Sequence, residues 1–123
     1  MAANVPEISL KLLPLAAIFF IVDIPYLSQN WAKSMFQKVQ GGLPVHLQWA
    51  AAPPVYLAMA FLLLHATSRI SAFLIGVATY AVYNFTNLAV LAKYETAFAM
   101  MDTTWGGVLF AIVYEIGTRL NLI

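Results

Sequence analysis

Tyr83-Asn84-Phe85-Thr86-Asn87-Leu88, followed by Met101-Asp102-Thr103-Thr104-Trp105-Gly106-Gly107, decides how this chain is read. Both runs place polar side chains inside segments otherwise apolar enough to cross a bilayer. Polar groups in hydrocarbon are expensive, so a cluster of them needs partners or a purpose. Around these runs the 123-residue chain is 63% hydrophobic and only 9% charged, well below the share of charge, about a quarter, that a soluble domain carries. Mean hydropathy is +0.83, so the expected solvent is lipid. The length fits one domain spanning residues 1–123.

Composition removes several function classes. A net charge of +1 offers no basic face to nucleic acid. Cysteine is absent, which excludes disulfides and thiolate metal sites. Met1 to Glu7 lacks a basic n-region and ends in an acid, so the first apolar segment is expected to be retained and not cleaved as a signal peptide.

A spanning helix needs about 20 mostly apolar residues. Four stretches qualify, at approximately 9–27, 44–66, 69–92 and 97–118. Every backbone group in hydrocarbon must be satisfied within its own segment, which favours helices here over a barrel of short strands. The expected fold class is therefore all-α: an integral membrane four-helix bundle. Between the first two spans, residues 28–40 carry Trp31, Met35 and Val39 at spacing four beside Ala32 and Phe36. That pattern predicts a short interfacial amphipathic helix, with Ser28 as the candidate cap and Gly41-Gly42 as its end. Pro53-Pro54 falls mid-way along the second span and predicts a kink shaped by packing.

The N-terminus, the 66–69 turn and the C-terminus share one side, here side A, with Lys11, Arg69 and Arg119. Side B holds Lys33, Lys38 and Lys93. The two sides balance, so the positive-inside rule sets no orientation. Topology alone then collects an intramembrane polar cluster. Asp23 lies near the side-B end of the first span and Gln48 near the side-B start of the second. Asn84, Thr86 and Asn87 lie in the side-B half of the third, and Asp102 just inside the fourth. At 1.5 Å per residue most sit roughly 6–12 Å below the side-B surface. Asp102 is expected to meet Asn84 or Asn87, with Asp23 joining them. Asp102 and Gly106 share one stripe, and Thr103, Gly107 and Ala111 form a small-residue run beside it, which lets helices approach closely. Trp31, Trp49 and Trp105 are expected as interface anchors. Glu7–Lys11 and Glu115–Arg119 are i, i+4 surface pairs of small energetic weight.

No metal, cofactor or catalytic residues are expected. His46 and His65 lie at opposite ends of one span and cannot share a metal. No phosphate-binding glycine loop, nucleophile elbow or His-Glu-x-x-His run is present.

Three motifs together carry a resemblance: Phe20-Ile21-Val22-Asp23, Tyr83-Asn84-Phe85-Thr86-Asn87-Leu88-Ala89 and Asp102-Thr103-Thr104-Trp105-Gly106-Gly107-Val108-Leu109. They are similar to a domain-of-unknown-function family, number two-one-seven-seven, of small membrane proteins found in bacteria and some large DNA viruses. The resemblance covers nearly the whole chain and implies four spans and no established activity. This chain departs from the family pattern twice. Asn84 stands where members usually have Asp, and Ile24-Pro25-Tyr26 follows the first motif where Trp is usual. Losing a carboxylate weakens a carboxylate-based reaction or cation site, but leaves a hydrogen-bonded clamp intact, because Asn both donates and accepts.

The expected role is structural or assembly, with the lipid bilayer and other protein chains of a larger assembly as partners. The viral branch of the family suggests a minor component of a virion inner membrane that links a capsid shell to the bilayer. The alternatives are a small oligomeric transporter or proton-linked channel, and third an intramembrane enzyme. Transport would need a water path through side-A halves such as 73–78 and 109–113, which are almost entirely apolar.

Overall fold

A computed structural model describes residues 5–46 and 48–123, the side chains of residues 5–9 excepted. The Glu7–Lys11 pair and the N-terminal Met1–Glu7 reading therefore lie outside the described residues. The described chain is all helical: α1 (Val5–Leu27), α2 (Asn30–Val39), α3 (Ala52–Leu63), α4 (Arg69–Val90) and α5 (Thr96–Arg119), with one 3-10 turn (Trp49–Ala51) leading into α3. Helices α1, α4 and α5 each contain a stretch long and apolar enough to cross a membrane, and Trp49–Leu63 is a shorter apolar helix.

The second span differs most from its expectation over 44–66. Its helix starts at Trp49, and Pro53-Pro54 occupy the first turn of α3 instead of kinking a span at its middle. A helix running through from Pro44 would lack two successive N–H donors at the prolines. Starting just before them places those missing donors where a helix has none to satisfy. The result is roughly 23 Å long against a hydrocarbon core of roughly 30 Å. The non-helical approach to it is held by Gln40, whose Nε2 donates to the carbonyls of Leu43 (2.8 Å) and Pro44 (2.7 Å).

The ends of the other helices have local causes. Ser28 does not cap α2. Its hydroxyl donates to the Ile24 carbonyl (2.8 Å), Gln29 Nε2 donates to the Pro25 carbonyl (3.0 Å), and the two close the end of α1. Gly41 and Gly42 take positive φ of 74° and 87° after α2, a conformation that a Cβ opposes. Ser68 caps α4 reciprocally with Ser71: each side chain serves the other's backbone N–H, at 3.1 and 2.9 Å. Helix α5 ends at Arg119, and Asn121 beyond it takes a positive φ of 59°. Leu122 N–H returns to the Gly117 carbonyl (2.7 Å) and Asn121 N–H to that of Thr118 (3.1 Å), a Schellman closure.

Packing sets the order of helices around the bundle. Helix α3 lies on α1, α1 on α5, and α5 runs along α4, whereas α3 and α4 share little direct packing. The main core fills the side-A half with Leu15, Phe19, Leu63, Leu109, Phe110 and Val113, all fully buried. A smaller cluster at side B seats α2: Ala32 and Met35 pack on Tyr94, Phe98 and Ala99. The apolar face of the amphipathic helix thus rests on the entry to α5. Lys38 Nζ fixes it from outside through Glu95, at 2.7 Å. At side A, Glu115 bridges Arg119 (3.1 Å) and also Arg69 (3.3 Å), tying the start of α4 to the end of α5.

The α4–α5 seam depends on glycine. A Cβ at Gly106 would stand 2.2 Å from the Tyr80 ring, and one at Gly76 would stand 2.2 Å from the Gly106 carbonyl oxygen. Gly106→Ala is therefore expected to separate the two helices and destabilise the protein by about 1–3 kcal/mol. Thermal unfolding in detergent reads this, with the exposed Thr104→Ala as a control expected to leave the midpoint unchanged.

Candidate functional site

Helices α1 and α5 run antiparallel, and each carries an aspartate followed three residues later by an aromatic donor: Asp23 with Tyr26, and Asp102 with Trp105. Residues three apart lie on one face of a helix. Antiparallel packing of two such faces sets the aspartate of each opposite the aromatic of the other. The Tyr26 hydroxyl donates to Asp102 Oδ1 at 2.6 Å, and Trp105 Nε1 donates to Asp23 Oδ1 at 2.8 Å. Between the two rungs the rings of Tyr26 and Trp105 stack, with centroids 4.7 Å apart and planes 5° apart.

The remaining carboxylate oxygens recruit α3 and α4. Tyr56 on α3 donates to Asp23 Oδ2 at 2.7 Å. Asn84 on α4 donates from Nδ2 to Asp102 Oδ2 at 2.6 Å and to its own helix at the Tyr80 carbonyl, 2.9 Å away. The Asn84 carbonyl oxygen accepts from the Tyr94 hydroxyl at 2.6 Å, so both ends of the amide are engaged. Tyr94 lies in the loop before α5, where burial pushes its phenol up to about 12. All four carboxylate oxygens thus accept a hydrogen bond, each from a neutral donor on another helix. Asp23, Asn84 and Asp102 are 4%, 0% and 6% exposed.

The structure brings three of the six residues of the cluster into one hydrogen-bonded network, sets Asn87 at its edge beside Tyr94, and leaves Thr86 and Gln48 outside. Asp102 meets Asn84 directly, whereas Asp23 joins through Tyr26 and Trp105 instead of touching either residue. Asn87 is half-buried and Thr86 is exposed on α4. Gln48 is exposed and lines a separate groove between α1, α2 and the turn before α3. Trp105 was expected at the lipid interface as an anchor. It instead turns inward, because its indole N–H is the donor that Asp23 needs. Trp49 stays exposed, and Trp31 packs edge-on to Tyr26 and Phe98 while remaining partly exposed. The donors that the sequence reading did not single out are Tyr26, Tyr56 and Tyr94. The repeated Asp-x-x-aromatic spacing in two antiparallel spans is the signal that would have found the first of them.

Beside this network, α1, α2, α3, α4 and α5 line a partly open cavity of about 430 Å³ whose walls include Asp23, Tyr26, Tyr56, Tyr80 and Asp102. Toward side A the fully buried core of Phe19, Leu109, Phe110 and Val113 closes the bundle. Among the described residues no group of three or more His, Cys, Asp or Glu side chains is placed to hold a metal.

The sequence matches a family model described as "Predicted membrane protein (DUF2177)" over residues 8–118. Neither the curated proteins nor the solved structures yield a match to the chain.

Removing one donor from a buried acceptor costs about 1–3 kcal/mol. Tyr26→Phe, which keeps the ring stack and deletes only the hydroxyl, is expected to destabilise within that range. Asp102→Ala is expected to cost more, since it strands both Tyr26 and Asn84. Thr86→Ala and Gln48→Ala are expected to stay within about 0.5 kcal/mol of the parent. Thermal unfolding of the four variants in one detergent ranks them.

Proposed function

The chain belongs to the DUF2177 family of predicted membrane proteins, and we propose that it is a multi-pass structural or assembly component of a membrane, not a catalyst. The observation that supports this reading is that every carboxylate oxygen is bonded to a donor on another helix. All four oxygens of the two buried carboxylates are already engaged by donors that the bundle itself supplies. A general acid or base must present a proton or a lone pair to a reacting group. Here the first bonding position of each oxygen is spent on joining helices. The bonds knit α1, α3, α4 and α5 at one depth, where an isolated polar group would be costly.

The same arrangement argues against a proton or ion path. Such a path needs polar groups from one face to the other, whereas Leu15, Phe19, Leu63, Leu109, Phe110 and Val113 form a fully buried apolar core. The partners we propose are protein chains of a larger assembly on side B, where Lys33, Lys38 and Lys93 are exposed. The resemblance to family members in large DNA viruses makes a virion inner membrane, beneath a capsid shell, the setting we favour.

Crosslinking in the native membrane with a membrane-permeant amine-reactive reagent, read by mass spectrometry, tests this proposal. The expected result is reproducible links from Lys33, Lys38 or Lys93 to shell or scaffold proteins. Links only between copies of this chain would overturn the assembly role and favour a homo-oligomer.

A further inference from the structure

The helix order α3–α1–α5–α4 leaves α3 and α4 as the two edges of a curl that only sparse direct packing closes. The cavity of about 430 Å³ lies in that gap. Val55, Ala58 and Leu62 line it from α3, and all three are exposed on the outer surface of the bundle. Tyr80 and Tyr83 line it from α4, and Tyr83 is also exposed. The cleft thus opens sideways between two helices, toward lipid, while Asp23 and Asp102 stand at its inner wall.

The two acids at that wall have no cationic partner among the described residues. Among the described residues Lys38 pairs with Glu95, and Arg69 and Arg119 pair with Glu115. No cationic side chain lies within ion-pair distance of Asp23 or Asp102 among them. The donors that do reach the two carboxylates are two phenols, an indole and an amide. These orient the acids but carry no opposing charge. Each carboxylate oxygen has capacity for a further donor. An acid pair in a low-dielectric setting favours a cation beside it. The aromatic faces of the lining favour an organic cation over a hydrated metal ion. The volume falls within the range of about 300–1,000 Å³ typical of small-molecule sites.

We propose that this cleft is a binding site for a lipophilic organic cation, an ammonium head on an apolar body, that enters from the bilayer between α3 and α4 and sets its head against Asp23 and Asp102. The site goes beyond the structural role above and does not depend on it: a clamp uses the first bonding position of each oxygen, and the ligand uses what remains.

The test uses the full chain in phosphatidylcholine nanodiscs, with radiolabelled 1-adamantylammonium as the probe and 1-adamantanol as its neutral isostere. Saturable binding is expected, at least tenfold tighter for the cation than for the alcohol. Ala58→Phe fills the cleft from α3 without touching the hydrogen-bond network. It is expected to weaken cation binding at least tenfold while the unfolding midpoint is kept. Asp23→Asn is expected to weaken binding likewise, and if that variant does not accumulate, Ala58→Phe carries the test. Adding phosphatidylethanolamine to the discs separates two sources of the same chemistry: competition points to a lipid headgroup amine, and no competition to a free amine. Absence of saturable binding, equal affinity for the alcohol, or unchanged binding in Ala58→Phe would overturn the proposal.

Discussion

Two aspartates that cannot be left alone in hydrocarbon organise this bundle. Asp23 and Asp102 each need donors, and the donors come from other helices: Trp105 and Tyr56 for the first, Tyr26 and Asn84 for the second. Interhelical hydrogen bonds in membranes are individually modest, about 0.6 kcal/mol on average by double-mutant cycles. Their larger effect is on specificity. Any register of α1 against α5 other than the one found separates Asp23 from Trp105 and Asp102 from Tyr26 together. Both rungs and the ring stack between them are then lost at once, and two acids are stranded in a setting that penalises them.

The glycine seam follows from the same requirement. Asn84 reaches Asp102 only if α4 lies close along α5, and a Cβ at Gly76, Gly106 or Gly107 would forbid that approach. With α5 committed to α4 on one flank and to α1 on another, and α1 committed to α3, the fourth side of the ring is left weakly packed. The shortness of α3 contributes. A helix that starts at Trp49 because of Pro53-Pro54 cannot pack along the whole of α4. The cleft is thus a consequence of how the polar contacts and prolines divide the packing. It opens where the acids are, because α1 and α5 form its inner wall.

Much of the site was legible in the chain, though not its partners. Topology and rise per residue were enough to set Asp23, Asn84 and Asp102 at one depth, since depth depends only on distance from the span ends. Depth does not give azimuth. Gln48 and Thr86 share the layer but turn outward. Trp105 was expected at the interface because tryptophan usually settles there, and the local rule gave way to the need of Asp23 for a donor. The second apolar segment is expected over 44–66, whereas its helical part begins at Trp49. Hydropathy measures solvent preference, whereas the prolines govern where backbone hydrogen bonds can begin.

Composition and segment length specify the solvent, the helical class, the number of apolar segments, the antiparallel turns and the leaflet that holds the polar residues. These follow from composition, segment length and the rule that backbone polar groups in lipid must be satisfied locally. Which donor meets which carboxylate, which helix pair is held by glycine and where the ring stays open are settled in the packed bundle. Those outcomes depend on helix rotation and on competition among neighbours for the same faces, and no single segment carries that information.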